Sequence, residues 1–248
     1  MVKAVKEKLK KFWATLALLS LEMLAVLVLF TGSLIAFILI TRRIFKFGNE
    51  RLDYRVFEAL EPYVTPTNNK VMLTITFLGR HDFLIPANLL LIAYFLFIKK
   101  HRWYSIKVPA IALSSLALMF ILKNLFNRHR PLIPLLDEAK GLSFPSGHAL
   151  MSVTFYGLLI YIVWHSVKDK RLKWTLIVLL LLLIQLIGFS RIYLRVHYTT
   201  DVIAGFATGF LWLVISLWVL KQFEKFSRKK VDPVIKETPA LPIRAPLS

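Results

Sequence analysis

Cysteine is absent from the 248 residues, so disulfide and thiolate chemistry are excluded and the redox compartment leaves no mark. Acidic residues are scarce: 14 Asp and Glu stand against 33 Lys and Arg, a formal charge of +19. A surplus of that size would suit a nucleic-acid partner. The basic residues, however, gather at the ends of apolar runs, with no stripe interleaved with aromatics and no nucleic-acid motif. Polar interruptions are also missing over long stretches, and 57% of the chain is hydrophobic. A soluble domain would alternate apolar and polar faces. Unbroken runs near 20 residues instead match the roughly 30 Å of hydrocarbon that a membrane helix crosses, and positive flanks are what membrane orientation requires.

Only helices and closed barrels satisfy their backbone in lipid, and these runs are too continuous for barrel strands. The expected architecture is an all-α, polytopic membrane protein with six transmembrane helices in one bundle. The spans fall at about 13–40, 83–98, 108–127, 148–167, 173–190 and 202–220. The apolar run from Phe12 to Ile40 is too long for a signal-peptide core and has no clear cleavage site, so it reads as a retained first span. Lys and Arg concentrate at the N-terminus, at 99–107, at 168–173 and in the tail. That bias places both termini in the cytoplasm, although Arg42, Arg43 and Lys46 run against it. One membrane domain, 1–226, is followed by a basic and then Pro-rich tail, 227–248, expected to be disordered. In the outer segment 41–82, Glu50 to Val64 reads as an interfacial amphipathic helix ended by Pro66. Val71 to Gly79 is apolar but too short to span alone.

Three clusters of polar residues break this pattern. Lys123 follows the apolar run AIALSSLALMFIL, about 7 Å inside Arg128 along a helix. At such depth an ionisable group is a functional candidate, with snorkelling to the interface as the alternative. Arg130 lies two turns further on, and Pro131 ends the helix. Pro145-Ser146-Gly147-His148 begins the fourth span, with Ser146 near the N-cap. Free N–H groups at a helix start suit an anion, and Gly147 permits close approach; an ordinary helix start beside an interfacial histidine is the plainer alternative. In SRIYLRVHYTTD, Arg191 ends the fifth span, and His197 and Asp201 are four residues apart. Helical geometry would put them on one face, where a carboxylate can orient an imidazole. An N-capping Asp201 or a metal site are the alternatives, the latter weak with two such ligands and no third nearby. Arg128, His129 and Arg195 read as solvated or lipid-headgroup contacts, and Glu22 in the first span has no assigned partner. Topology places all three clusters at one depth, near the outer interface. Cations, a helix N-terminus and two histidines at one level describe a phosphate site.

Together the clusters resemble the tripartite signature of the phosphatidic acid phosphatase type 2 superfamily, in its membrane lipid phosphatase branch. Lys123 to Pro131 fits K-x6-R-P, Pro145 to His148 supplies PSGH, and Ser190 to Asp201 fits S-R-x5-H-x3-D. The resemblance covers about 100–220. It implies that His197 attacks phosphorus and becomes a phosphohistidine, that Asp201 orients His197, and that His148 protonates the leaving oxygen. Lys123, Arg130 and Arg191, with the Ser146 hydroxyl and the Gly147 amide, would hold the phosphate oxygens. No metal or other cofactor is implied. The implied partner is a lipid phosphate within membrane lipids: phosphatidic acid, phosphatidylglycerophosphate or a polyprenyl diphosphate. No nucleic acid and no obligate protein partner is inferred. A lipid phosphotransferase would carry the same motifs, and a lipid-phosphate transporter or flippase would need ionisable groups at mid-depth in several spans, where the sequence offers mainly Glu22.

Overall fold

The computed structural model describes residues 21–132, 134–135 and 141–231, with the side chains of 230 and 231 excepted. The expected first turns of the opening span and the Pro-rich tail lie outside the described residues. Among the described residues every regular element is helical. α1 is Leu21–Thr41, continued by a wider turn over Arg42–Lys46. α2 (Arg51–Leu60) is short, and α3 (Pro66–Phe77) leads into α4 (His81–Ala93), which widens over Tyr94–Ile98. α5 (Arg102–Phe126), α6 (Gly147–Ser166), α7 (Lys170–Tyr193) and α8 (Thr199–Phe226) complete the bundle. Six helical stretches among these residues are long and apolar enough to cross a membrane: Leu21–Lys46, Pro66–Ile98, Arg102–Phe126, Gly147–Ser166, Lys170–Tyr193 and Thr199–Lys229. The chain is a multi-pass membrane protein.

The second stretch starts 17 residues before the expected 83, because Val71–Gly79 is no isolated apolar patch. It lies in a helix that Pro66 opens and the Thr65 hydroxyl caps, accepting from the Asn68 amide at 3.1 Å. The helix pauses at Leu78–Arg80 and resumes at His81. Gly79 lets this pause pack closely against α6 and α7. A Cβ there would stand 2.6 Å from Ile187 and 3.1 Å from the His148 ring.

α6 lies at the centre, packed along α8 and α7, with α5 on a further side. α1 runs along α8 with no buried residue of its own, and Glu22 is exposed in its first turn. The α6–α8 seam is close because glycines face it. A Cβ on Gly205 would sit 2.7 Å from the Ser146 carbonyl oxygen, and one on Gly209 would sit 2.8 Å from that of Leu150. Exposed Leu89, Leu90, Phe97, Leu113 and Leu125 present an apolar exterior to lipid. At one end of the bundle, Lys107 and Glu224 form a 2.8 Å ion pair with little exposure. At the other end, Phe144 is fully buried, its ring 5.0 Å from Phe126 and 5.3 Å from Phe45. This aromatic packing anchors the loop that leads into α6.

Candidate active site

All eight residues singled out by the three clusters meet at that second end. α5 closes on Asn127 in the left-handed conformation (φ 45°), a usual helix stop. Lys123 sits in its last turn and donates to the Leu142 carbonyl, its stem passing near Gly147. Past the stop, Arg130 donates to the carbonyls of Gly141 (3.1 Å) and Val196 (2.8 Å). Arg191, at the end of α7, is 6% exposed and donates to the Thr76 hydroxyl at 2.8 Å. Among the described residues none of these three cations has a carboxylate partner. Nε of Arg191 is buried without any hydrogen bond. With hydrogen bonds to neutral oxygens and no ion pair to a carboxylate among the described residues, the three cations form a strongly electropositive centre.

Ser146 is fully buried at the start of α6. Its amide donates to the Asp201 carbonyl at 2.9 Å, and its hydroxyl accepts weakly from the Ala149 amide at 3.5 Å. Gly147 faces Met119 so closely that a Cβ would lie 2.6 Å from the sulfur. His148 projects from the first turn, its ring against Gly79, with Nε2 buried and unpartnered. Arg191, His197, Arg130 and Arg80 are all close enough to act on it electrostatically.

His197 is 1% exposed and precedes α8, while Asp201 is inside its first turn. The pair therefore does not share a helix face, as spacing alone suggests. The chain bends before Thr199, and the bend brings Nδ1 of His197 to 3.6 Å from Oδ2 of Asp201. Asp201 also caps the turn, accepting from the Tyr198 amide at 2.9 Å and from the Ser143 hydroxyl. On the other side of the ring, Nε2 lies 3.4 Å from an Arg130 nitrogen. Burial first, then Arg130, Arg191 and Lys123, holds the His197 imidazole well below the ordinary histidine range. The ring is thus kept neutral, with a lone pair facing the cations.

Arg128 departs from the solvated role expected of it. It is 7% exposed and stacks 3.9 Å over the Tyr198 ring. It donates to Asp201 Oδ1 at 2.6 Å, to Glu50 at 2.8 Å and to Asp53 at 3.0 Å. Arg195 is paired too, with Glu61, whereas His129 is exposed as expected. Asp53, Ser143, Thr76, Arg80 and Thr200 carry no sequence signal that ties them to this place. Among the described residues no group of three His, Cys, Asp or Glu side chains gathers to hold a metal.

The fold and this constellation define a polytopic membrane protein that presents cations and helix amides around two imidazoles, an arrangement for a tetrahedral oxyanion. The chain belongs to the PAP2 superfamily, whose family model matches residues 104–225, and it is a lipid phosphatase. Phosphatidylglycerophosphatase B of Bacillus subtilis is 31% identical over 166 residues, covering 66% of this chain and 81% of that protein. YbjG of Escherichia coli, whose name gives undecaprenyl-diphosphatase only as a provisional assignment, is 26% identical over 65% of this chain and 79% of its own length. The crystal structure of a transmembrane PAP2 type phosphatidylglycerolphosphate phosphatase from Bacillus subtilis superposes with a TM-score of 0.66 at 28% identity. That match spans 81% of this chain and 96% of the other.

Proposed function

We propose that the protein hydrolyses a lipid phosphate monoester or diphosphate through a phosphohistidine formed on His197, without a metal. One observation carries the reading: Lys123, Arg130 and Arg191 lack carboxylate partners among the described residues and surround a neutral, buried His197. Phosphoryl transfer asks for in-line positioning and charge neutralisation rather than unusual groups. Nε2 of His197 attacks phosphorus, and the bond from phosphorus to the lipid-side oxygen breaks. The negative charge of the bound phosphate offsets the cations that face His148, so its ring takes up a proton there and gives it to that departing oxygen. Water then attacks the phosphohistidine, the P–N bond breaks, and the proton of water returns to His148 as inorganic phosphate leaves. The three cations, with the Ser146 hydroxyl and the Gly147 amide, hold the non-bridging oxygens throughout. Asp201 fixes the ring from the Nδ1 side.

The substrate class is a lipid because the site closes one end of a membrane-spanning bundle, where a headgroup can enter while its chains stay in hydrocarbon. Phosphatidic acid, phosphatidylglycerophosphate and polyprenyl diphosphates all fit, and residues 41–82 line the lateral approach that selects among them. Phosphate release from a panel of these lipids in detergent tests the reading. Wild type should be active in chelator and inhibited by vanadate, and His197→Ala and His148→Ala should be inactive. Full activity in His197→Ala, or a strict requirement for added metal, would overturn it.

The charge bias of the loops supports a reading with the termini in the cytoplasm and the site on the extracytoplasmic face. A cysteine introduced at Leu132, which is 95% exposed beside the site, should react with an impermeant thiol reagent in intact cells. Labelling only after lysis would invert the topology.

A further inference from the structure

Asp53 is fully buried although it belongs to α2, a short polar helix lying at the site end of the bundle. Both of its oxygens are used. Oδ1 accepts from the Thr200 amide at 2.9 Å. Oδ2 accepts from the Thr200 hydroxyl at 2.7 Å and from Arg128 at 3.0 Å. The Thr200 hydroxyl in turn accepts from Arg128 at 2.9 Å, and Arg128 continues to Asp201 Oδ1 at 2.6 Å. An unbroken polar chain thus runs from Asp53 through Arg128 and Thr200 to the carboxylate that faces His197. The residues it joins are 147 positions apart in sequence at the Asp53–Thr200 step.

Charge makes this more than a scaffold contact. The single guanidinium of Arg128 is shared among Asp201, Asp53 and Glu50. Were Asp53 neutral, more of the Arg128 charge would fall on Asp201, and less negative potential would reach the His197 ring. In a buried site such charges are poorly screened, and hydrogen-bonded networks behave as units. The groups facing His197 are Asp201, Arg130, Arg191, Lys123 and, near it, His148. Those facing Asp53 are Arg128 and Thr200, with Glu50 alongside on the same guanidinium.

We propose that Asp53 is a positioning residue for the hydrolysis: through Arg128 and Thr200 it sets the orientation and effective charge of Asp201, and so the nucleophilic strength of His197. The outer helix α2 is on this account part of the working site. The inference rests on the reading of His197 as nucleophile.

The test compares full-length wild type, Asp53→Asn, Glu50→Gln and His197→Ala in detergent, with phosphatidic acid as substrate and active sites counted by trapped phosphoenzyme. Asp53→Asn should lower kcat per active site at least tenfold and change KM less than threefold. Removal of a negative charge disfavours the imidazolium, so the acid limb of kcat/KM should move to lower pH. Glu50→Gln, whose side chain is partly exposed, should move that limb in the same direction by less. Should Asp53→Asn not fold, Glu50→Gln carries the test. Wild-type kcat and an unmoved limb in every variant that folds would overturn the proposal and show Asp53 to be scaffold only. Activity in His197→Ala would instead remove the nucleophile itself, a separate outcome.

Discussion

Arg130 places a guanidinium nitrogen 3.4 Å from Nε2 of His197. Arginine only donates, so the contact assigns the lone pair to Nε2 and the ring proton to Nδ1. Nδ1 itself lies 3.6 Å from Oδ2 of Asp201, beyond hydrogen-bond length, and is buried without a hydrogen bond among the described residues, so the carboxylate acts on the ring by its charge. The nitrogen that carries the lone pair is therefore the one facing Arg130, and on the proposed mechanism it is the one that would attack.

This environment has a pH signature. Burial and the neighbouring cations hold the folded His197 well below its ordinary value of about 6.5. Below about pH 6.5 the unfolded chain binds a proton that folded His197 does not, so this residue's share of stability falls as pH drops through that window and is whole above it. The acid limb of kcat/KM should lie below about pH 6.5. In 15N-histidine-labelled protein the His197 ring should stay neutral where free histidine titrates, and Arg130→Gln should move its titration upward. A His197 titration at or above the ordinary range in wild type would contradict the assignment.

Gly205 lets α8 touch the turn that begins α6. A methyl group there would press 2.7 Å from the Ser146 carbonyl oxygen and 2.9 Å from Ala149, and main-chain atoms cannot step aside cheaply. Gly205→Ala should cost about 1–3 kcal/mol and reduce kcat/KM at least tenfold by displacing the Ser146–His148 turn. Gly32→Ala, at a position with open space around it, should change neither. Thermal unfolding and phosphate release check both variants.

The Lys107–Glu224 pair offers the opposite case. Lys107 lies near the start of α5, about 24 Å of helix from Lys123. Lys107→Met leaves Glu224 with its Arg228 contact but without its inner partner. It should lower stability by about 3 kcal/mol, the low end for a buried pair because Glu224 keeps Arg228, while kcat stays within twofold of wild type. Pairing it with Glu224→Gln should recover most of the loss. A large fall in kcat with unchanged stability would show coupling between the two ends of the bundle.

The legible part of this site was local. Lys123 to Pro131, Pro145 to His148 and Ser190 to Asp201 each hold their groups within a dozen residues, where helix rise and turn chemistry limit the geometry. The Asp53–Arg128 contact spans 75 positions, and nothing in either neighbourhood announces it. Asp53 reads as one more polar residue on an amphipathic helix, and Arg128 as a solvated flank beside exposed His129. The relation of His197 to Asp201 was anticipated for a different reason than the one that holds: a bend before the helix, not a shared face, brings them near. The early start of the second span is hidden because the helix is interrupted at Leu78–Arg80 and its halves each look too short.

The glycine contacts between α6 and α8 have a last consequence. With their backbones in touch at Ser146 and Leu150, that seam is sealed, and a hydrocarbon tail cannot wedge itself there. The doorway for the greasy part of the molecule must open elsewhere around the bundle. On the proposed mechanism, phosphate chemistry and chain selection would then sit on different walls, and substitutions could retune one while sparing the other.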